Sequence, residues 1–267
     1  MTALRTTTAL MFALMFALLS ASAALAGPPL ATDDAGTVEV GSFEVEINGS
    51  YATDEERSAG VTAKTRASDG ELKLTTGLYK DLGLAVSVPY LYSARDTEDG
   101  ALVGKDRGFG DMVLELKYAF AELAGINLAI KPALTLPTGK DSLSDGHVQY
   151  CATLIASREF ADGKYALHAN LGYEHHRYHA HARTISHSNL WAGSVAGEVE
   201  LATGLVVVAD VGVATNPHKG DHELPVYALT GARYEINQLL DINAGIRFGL
   251  TRPETDVTAL YGVVLKF

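Results

Sequence analysis

Residues 174–187 read EHHRYHAHARTISH and hold five of the nine histidines of the chain. His175, His179 and His181 share one strand parity. Side chains two apart on a strand sit about 7 Å from each other on one face. That spacing lets His179 and His181, with His175 beside them, share a Zn²⁺ or Cu²⁺. Imidazole is mostly neutral at pH 7 and free to ligate. Arg177 and Arg183 fall on the same parity and oppose a cation. The competing reading is a solvated outer loop whose arginines meet lipopolysaccharide phosphates. No other cofactor is expected: the chain has no phosphate-cradling Gly loop, no Cys-x-x-Cys and no Ca²⁺ loop.

Ser186, His187, Ser188 and Asn189 have the residue types of a serine hydrolase. Neighbouring strand side chains point to opposite faces, which spoils the nucleophile–base hydrogen bond. The chain is therefore expected not to be an enzyme. A third group consists of charged residues set among apolar ones: Glu44, Glu46, Glu115, Lys117, Lys131, Asp210 and Arg247. Their meaning depends on the elements that carry them.

Those elements alternate with period two. Phe43, Val45, Ile47 and Tyr51 alternate with Glu44, Glu46, Asn48 and Ser50. Leu114, Leu116, Tyr118 and Phe120 alternate with Glu115, Lys117 and Ala119. Strands are predicted at 41–52, 71–80, 83–94, 108–120, 126–137, 147–160, 165–178, 188–201, 205–215, 224–235, 240–251 and 257–267. Parity is unclear near 147–160 and 224–235. Tight connections alternate with longer polar ones, such as 53–70, 95–107, 138–146 and 179–187. Short turns at one end, long loops at the other and strands of about 9–11 residues are the pattern of a transmembrane β-barrel. In hydrocarbon a sheet satisfies its backbone only by closing on itself. One parity then faces lipid and the charged parity lines the lumen, where it forms a selectivity ring or a salt-bridged filling.

The N-terminus agrees with that location. Arg5 precedes the apolar run ALMFALMFALL (9–19), and Ala24-Leu25-Ala26 is a small-x-small cleavage site. Residues 1–26 are expected to be a cleaved signal peptide. Residues 27–40 form a periplasmic or lumenal segment, and 41–267 form the barrel. The last strand, YGVVLKF, ends in Phe267. It resembles the C-terminal signature that outer-membrane assembly machinery recognises. The formal net charge of -11 argues against a nucleic-acid partner, whose phosphates need a basic surface. Hydrophobic residues make up 47% of the chain, which excludes a disordered polymer.

Four segments resemble a known family: TDDAGTVEVGSFEVE (32–46), LTTGLYKDLGLAVSVPYLY (74–92), GFGDMVLELKYAF (108–120) and KPALTLPTGKD (131–141). They are similar to the bacterial family named for the MetA pathway of phenol degradation, whose members are predicted outer-membrane barrels often labelled transporters. The resemblance implies uptake of an aromatic or hydrophobic compound. It carries over no catalytic residue, and the His-rich stretch has no counterpart in the family pattern. The expectation is an all-β, closed antiparallel transmembrane barrel of about twelve strands. It would sit in a bacterial outer membrane, in contact with lipid and lipopolysaccharide, and pass a small solute. The alternatives are a structural or metal-handling surface barrel and, further off, a barrel hydrolase.

Overall fold

The computed structural model describes residues 29–58, 60–178 and 182–267. The expected signal peptide, His179 and His181 lie outside the described residues. Thirteen strands follow in order. They are β1 (Phe43–Ser58), β2 (Val61–Tyr79), β3 (Leu82–Glu98), β4 (Ala101–Phe109), β5 (Met112–Leu123), β6 (Ile126–Leu136) and β7 (Gln149–Phe160). Then come β8 (Tyr165–His175), β9 (Asn189–Ala202), β10 (Leu205–Ala214), β11 (Val226–Asn237), β12 (Leu240–Gly249) and β13 (Val257–Lys266). All pairings in the sheet are antiparallel. β1 pairs with β13 on one side and β2 on the other, and β2 pairs with β3, so the ring closes. β4 and β5 lie on the outer and inner halves of β3, and together make one barrel strand broken at Gly110 and Asp111. The barrel therefore has twelve strands.

Burial is inverted relative to a water-soluble sheet. Ile47, Leu72, Leu116, Leu154, Leu171, Val195 and Tyr261 are exposed on the outside. Glu46, Glu115, Lys131, Ser157, His168, Asp210 and Asp241 are buried on the inside. A surface of this kind is stable only where lipid covers the apolar parity. No helix among the described residues is long and apolar enough to cross a membrane, and the chain crosses with strands. The tight turns place residues other than glycine at positive φ. Asp81, Ala124, Ala161 and Asp162 lie between 51° and 62°.

Two expected loops are sheet instead. β1 has 16 residues, β2 has 19 and β3 has 17, against the 9–11 that a bilayer needs. Residues 53–70 and 95–107 thus extend the hairpins beyond the membrane. No lipid hydrocarbon covers the outer face there, so no apolar parity marks the strand in the sequence. The ladder and pairs such as Thr65 Oγ1 to Asp96 Oδ1 (2.7 Å) hold it. Leu143, from the loop after β6, packs on Ala52, Ala67, Leu91 and Ala94 at this level.

β8 is shorter than predicted. It ends at His175, and His176 N–H donates to Ser188 O at 2.8 Å outside the sheet. Among the described residues, only His175 of the expected histidine face lies on this strand.

Candidate functional site: a strap across the lumen

Residues 29–38 enter the barrel and cross it as a strap. Three polar anchors and two apolar contacts hold it. The first anchor is Asp210 on β10, 4% exposed. Its Oδ2 accepts Ala31 N–H and Thr32 N–H, both at 2.8 Å. The Thr32 hydroxyl lies 2.7 Å from Ser194 Oγ and 2.9 Å from Asp210 Oδ1. Tyr227 donates its hydroxyl to the same Oδ1 at 3.2 Å. Hydrogen bonds to an ionised acceptor are about twice as strong as neutral ones.

The second anchor is Asp33. Its carboxylate bridges Lys117 Nζ at 2.8 Å and Lys131 Nζ at 2.7 Å. Lys131 also meets Glu115 at 3.6 Å, and Lys73 meets Glu115 at 3.1 Å. Burying such charges is costly unless each is paired; Lys73 and Lys131 share Glu115, and the strap's Asp33 gives Lys117 its close anion and Lys131 a second one.

The third anchor is Ser157 on β7. Its Oγ accepts Ala35 N–H at 2.8 Å and lies 2.8 Å from His168 Nδ1. His168 Nε2 is 3.9 Å from Glu198, which pairs with Arg233 at 3.2 Å. Ser157, His168 and Glu198 have the composition of a catalytic triad. The serine oxygen is buried under the strap and accepts the strap's Ala35 N–H, so it serves as an anchor.

Apolar contacts complete the seat. Leu30 packs on Ala196, Val208 and Leu229, and Ala35 packs on Ala129 and Ile155. Gly245 makes room for Pro29: a Cβ there would meet the proline ring at 2.9 Å. The strap leaves along β2, where Val40 bridges Gly77 in parallel. A Cβ at Gly77 would come within 2.2 Å of Glu39 O.

Space remains on both sides of the strap. On the tight-turn side lie cavities of about 280 and 660 Å³. The larger has six carboxylates in its wall (Asp34, Glu44, Glu46, Glu200, Glu235, Asp241) against Arg233 and Lys266, a surplus that attracts cations. On the loop side a cavity of about 130 Å³ has Ala31 of the strap in its wall.

The lumen-lining candidates thus divide into three groups. Glu115, Lys117, Lys131 and Asp210 meet at the strap. Glu44 and Glu46 line the cavities on the tight-turn side. Arg247 lies on the loop side, its guanidinium 4.0 Å over the Tyr227 ring and 2.7 Å from Glu254. His175 Nδ1 is 2.8 Å from Asn189 Oδ1. Among the described residues no group of three His, Cys, Asp or Glu side chains could hold a metal ion. Ser186 is buried and bridges His218, and His187 N–H donates to Pro217 O. Sequence reasoning missed Thr32, Asp33, Ser157, His168 and Tyr227. The one signal available for Ser157 and His168 was their inward parity, since register alone sets them opposite each other.

Solved structures share this architecture. The crystal structure of the COG4313 outer membrane channel from Pseudomonas putida F1 matches with a TM-score of 0.73 at 15% identity. The match covers 91% of this chain and 100% of that one. The translocator domain of autotransporter NalP from Neisseria meningitidis matches at 0.55 and 12% identity, covering 86% and 90%. The NanC porin matches at 0.58 and 10% identity, covering 84% and 100%. At these identities the likeness is one of fold: a closed outer-membrane β-barrel. No curated protein matches the chain in sequence. The model of the family described as "Putative MetA-pathway of phenol degradation" matches residues 29–267, strap and barrel together. The chain belongs to that family.

Proposed function

We propose that this barrel is a passive channel for a small solute in the outer membrane of a bacterium, with the strap as the element that limits passage. The observation that carries this is the strap itself. It separates a loop-side cavity of about 130 Å³ from turn-side cavities of about 280 and 660 Å³. Residues 1–26 would direct export, and the terminal strand ending in Phe267 would be the handle for assembly into the membrane. The family's description names phenol degradation, which favours a hydrophobic or aromatic solute.

Planar-bilayer recording of the refolded mature chain tests the reading. The intact protein is expected to show small conductance steps, and a variant lacking residues 29–36 is expected to show larger ones. Silence of both proteins, each folded and heat-modifiable on gels, would overturn the channel. It would favour a barrel filled for structural purposes, the reading in which salt bridges only hold its shape.

A further inference from the structure

The hairpins that rise past the membrane sort their charges by face. Ile47 and Tyr51 are exposed on the outside of β1, and Thr53 continues their parity. Register sets Arg66 opposite Thr53, Arg95 opposite Arg66 and Lys105 opposite Arg95. Residues directly opposite in an antiparallel ladder share a face, with Cβ atoms about 4.5–5.5 Å apart. Three cations thus stand side by side on the outside of β2, β3 and β4, and all three are exposed. Arg107, two residues along β4, is exposed on the same parity. The acids of these strands turn inward. Asp96 is buried and accepts from the Thr65 hydroxyl at 2.7 Å, and Asp106 pairs with Lys140. The outward acid nearby, Glu55, is held by Arg57 at 2.7 Å and Lys64 at 3.5 Å. Among the described residues, Arg66, Arg95, Lys105 and Arg107 have no ion-pair partner. Like charges directly opposite each other on a sheet are destabilising. A chain of net charge -11 has acids to spare, yet none stands on this row.

The level of the row points to what neutralises it. Tyr51, Tyr92 and Phe109 are exposed aromatics two to four residues nearer the middle of the barrel. Exposed aromatics of a membrane barrel form girdles at the interface with the head groups. At about 3.3 Å per residue, the cations sit about 7–13 Å farther out. Short turns mark the periplasmic end of such a barrel, so these hairpins emerge at the cell surface.

We infer that this outward row docks the phosphorylated head group of lipopolysaccharide, with Arg66, Arg95 and Lys105 taking the phosphates of its lipid A. Charge, geometry and depth agree. An arginine fork donates two parallel N–H bonds to one phosphate, and a lysine adds a point charge. Strands lie about 4.8 Å apart, so the row spans about 10 Å and presents separate donors to more than one phosphate. The inference needs the barrel to sit in an outer membrane, as the channel reading does, but not to conduct. It places the lipopolysaccharide contact on β2–β4 rather than on Arg177 and Arg183.

Native mass spectrometry of the refolded mature chain in detergent, with EDTA present, tests the site. Bisphosphorylated lipid A is the probe, and lipid A stripped of both phosphates is the control with the same acyl chains. The wild type is expected to hold the bisphosphorylated form about tenfold more tightly. Arg66→Gln with Arg95→Gln and Lys105→Gln is expected to remove that preference while heat-modifiability is kept. Arg95→Gln alone, at the middle of the row, is expected to reduce it about threefold and serves if the triple variant does not refold. Arg177→Gln with Arg183→Gln is expected to leave it unchanged. Equal binding of the two lipids by the wild type means that acyl chains alone are held, and overturns the site. So does a preference that survives in the row variants, or one that is lost with the loop pair instead. The result stands apart from bilayer recording. Phosphate preference in a barrel that does not conduct keeps the site and removes the channel, and conduction without the preference does the reverse.

Discussion

Asp210→Ala should release the strap. In the wild type the carboxylate takes Ala31 N–H and Thr32 N–H inside the barrel, at 2.8 Å each. Alanine leaves both donors without a partner. Thr32 keeps its hydroxyl contact with Ser194. A buried donor left unsatisfied costs about 1–3 kcal/mol, so the seated strap loses about 4 kcal/mol in all. The displaced strap loses nothing, because water satisfies the same N–H groups there. The ratio of seated to displaced strap therefore falls by roughly three decades. Asp210→Asn keeps one oxygen for the two backbone N–H groups, loses the charge assistance and must turn the Tyr227 hydroxyl from donor to acceptor, so it costs about 1–2 kcal/mol, roughly one decade. Asp33 and the Leu30 and Ala35 contacts still favour the seated state in both variants. Single-channel open probability should rise in the order wild type, Asn, Ala. Hydrogen exchange of residues 29–37 should rise in the same order. The reasoning fails if Asp210→Ala matches the wild type in both measurements while its barrel is intact, or if Asn exceeds Ala.

Three further outcomes follow from other parts of the molecule. Gly245→Ala puts a Cβ 2.9 Å from the Pro29 ring, so exchange at the start of the strap should accelerate while heat-modifiability is kept; unchanged exchange would show that Pro29 has room to move aside. The turn-side cavity, with six carboxylates against two cations, should make the open channel prefer K⁺ to Cl⁻ in reversal-potential measurements. Glu44→Gln with Glu46→Gln should shrink that preference, and an anion-selective wild type would refute it. His176, outside β8, should act as an alkaline-sensitive clamp. Burial alone disfavours its charged ring, but the hydrogen bond with Glu174 at 2.9 Å and the attraction of the Asp145 carboxylate at 3.7 Å outweigh this and hold its pKa up at about 9. An unfolded His titrates near 6.5. The clamp's contribution is thus complete below about pH 6.5 and is lost as pH rises through about 9. Exchange of residues 141–148, corrected for intrinsic rate, should accelerate above pH 9, and His176→Gln should abolish the step. A corrected rate independent of pH would refute it.

How much of this was readable in the sequence depends on what stands opposite each residue. Where the outer face meets lipid and the inner face meets water, period-two alternation marks the strand, and Ile47, Glu46, Leu116 and Glu115 fall on the faces their types demand. Where no lipid hydrocarbon covers the outer face, as at residues 53–70, the alternation vanishes although the ladder continues. Where the strap lies against the wall, the pattern turns ambiguous for the opposite reason. Ile155 and Leu229 point inward and are buried, which blurs the parity of β7 and β11. They are apolar because Ala35 and Leu30 press on them. The blur was therefore a signal, since an apolar residue on a lumenal parity needs something apolar inside the barrel to cover it.

The same logic governs the charges. Lys117, Lys131 and Asp210 have the same parity and chemistry whether they line an open pore or grip a plug. Only Thr32 and Asp33, more than 80 positions away in sequence from any of them, decide between the two. A lumenal charge pattern in which Lys73 and Lys131 share Glu115 while Lys117 pairs with no residue of the barrel wall points to an acidic segment elsewhere in the chain. Here Asp33 is that anion, and its removal should be felt as a change in gating before it is felt as a change in fold.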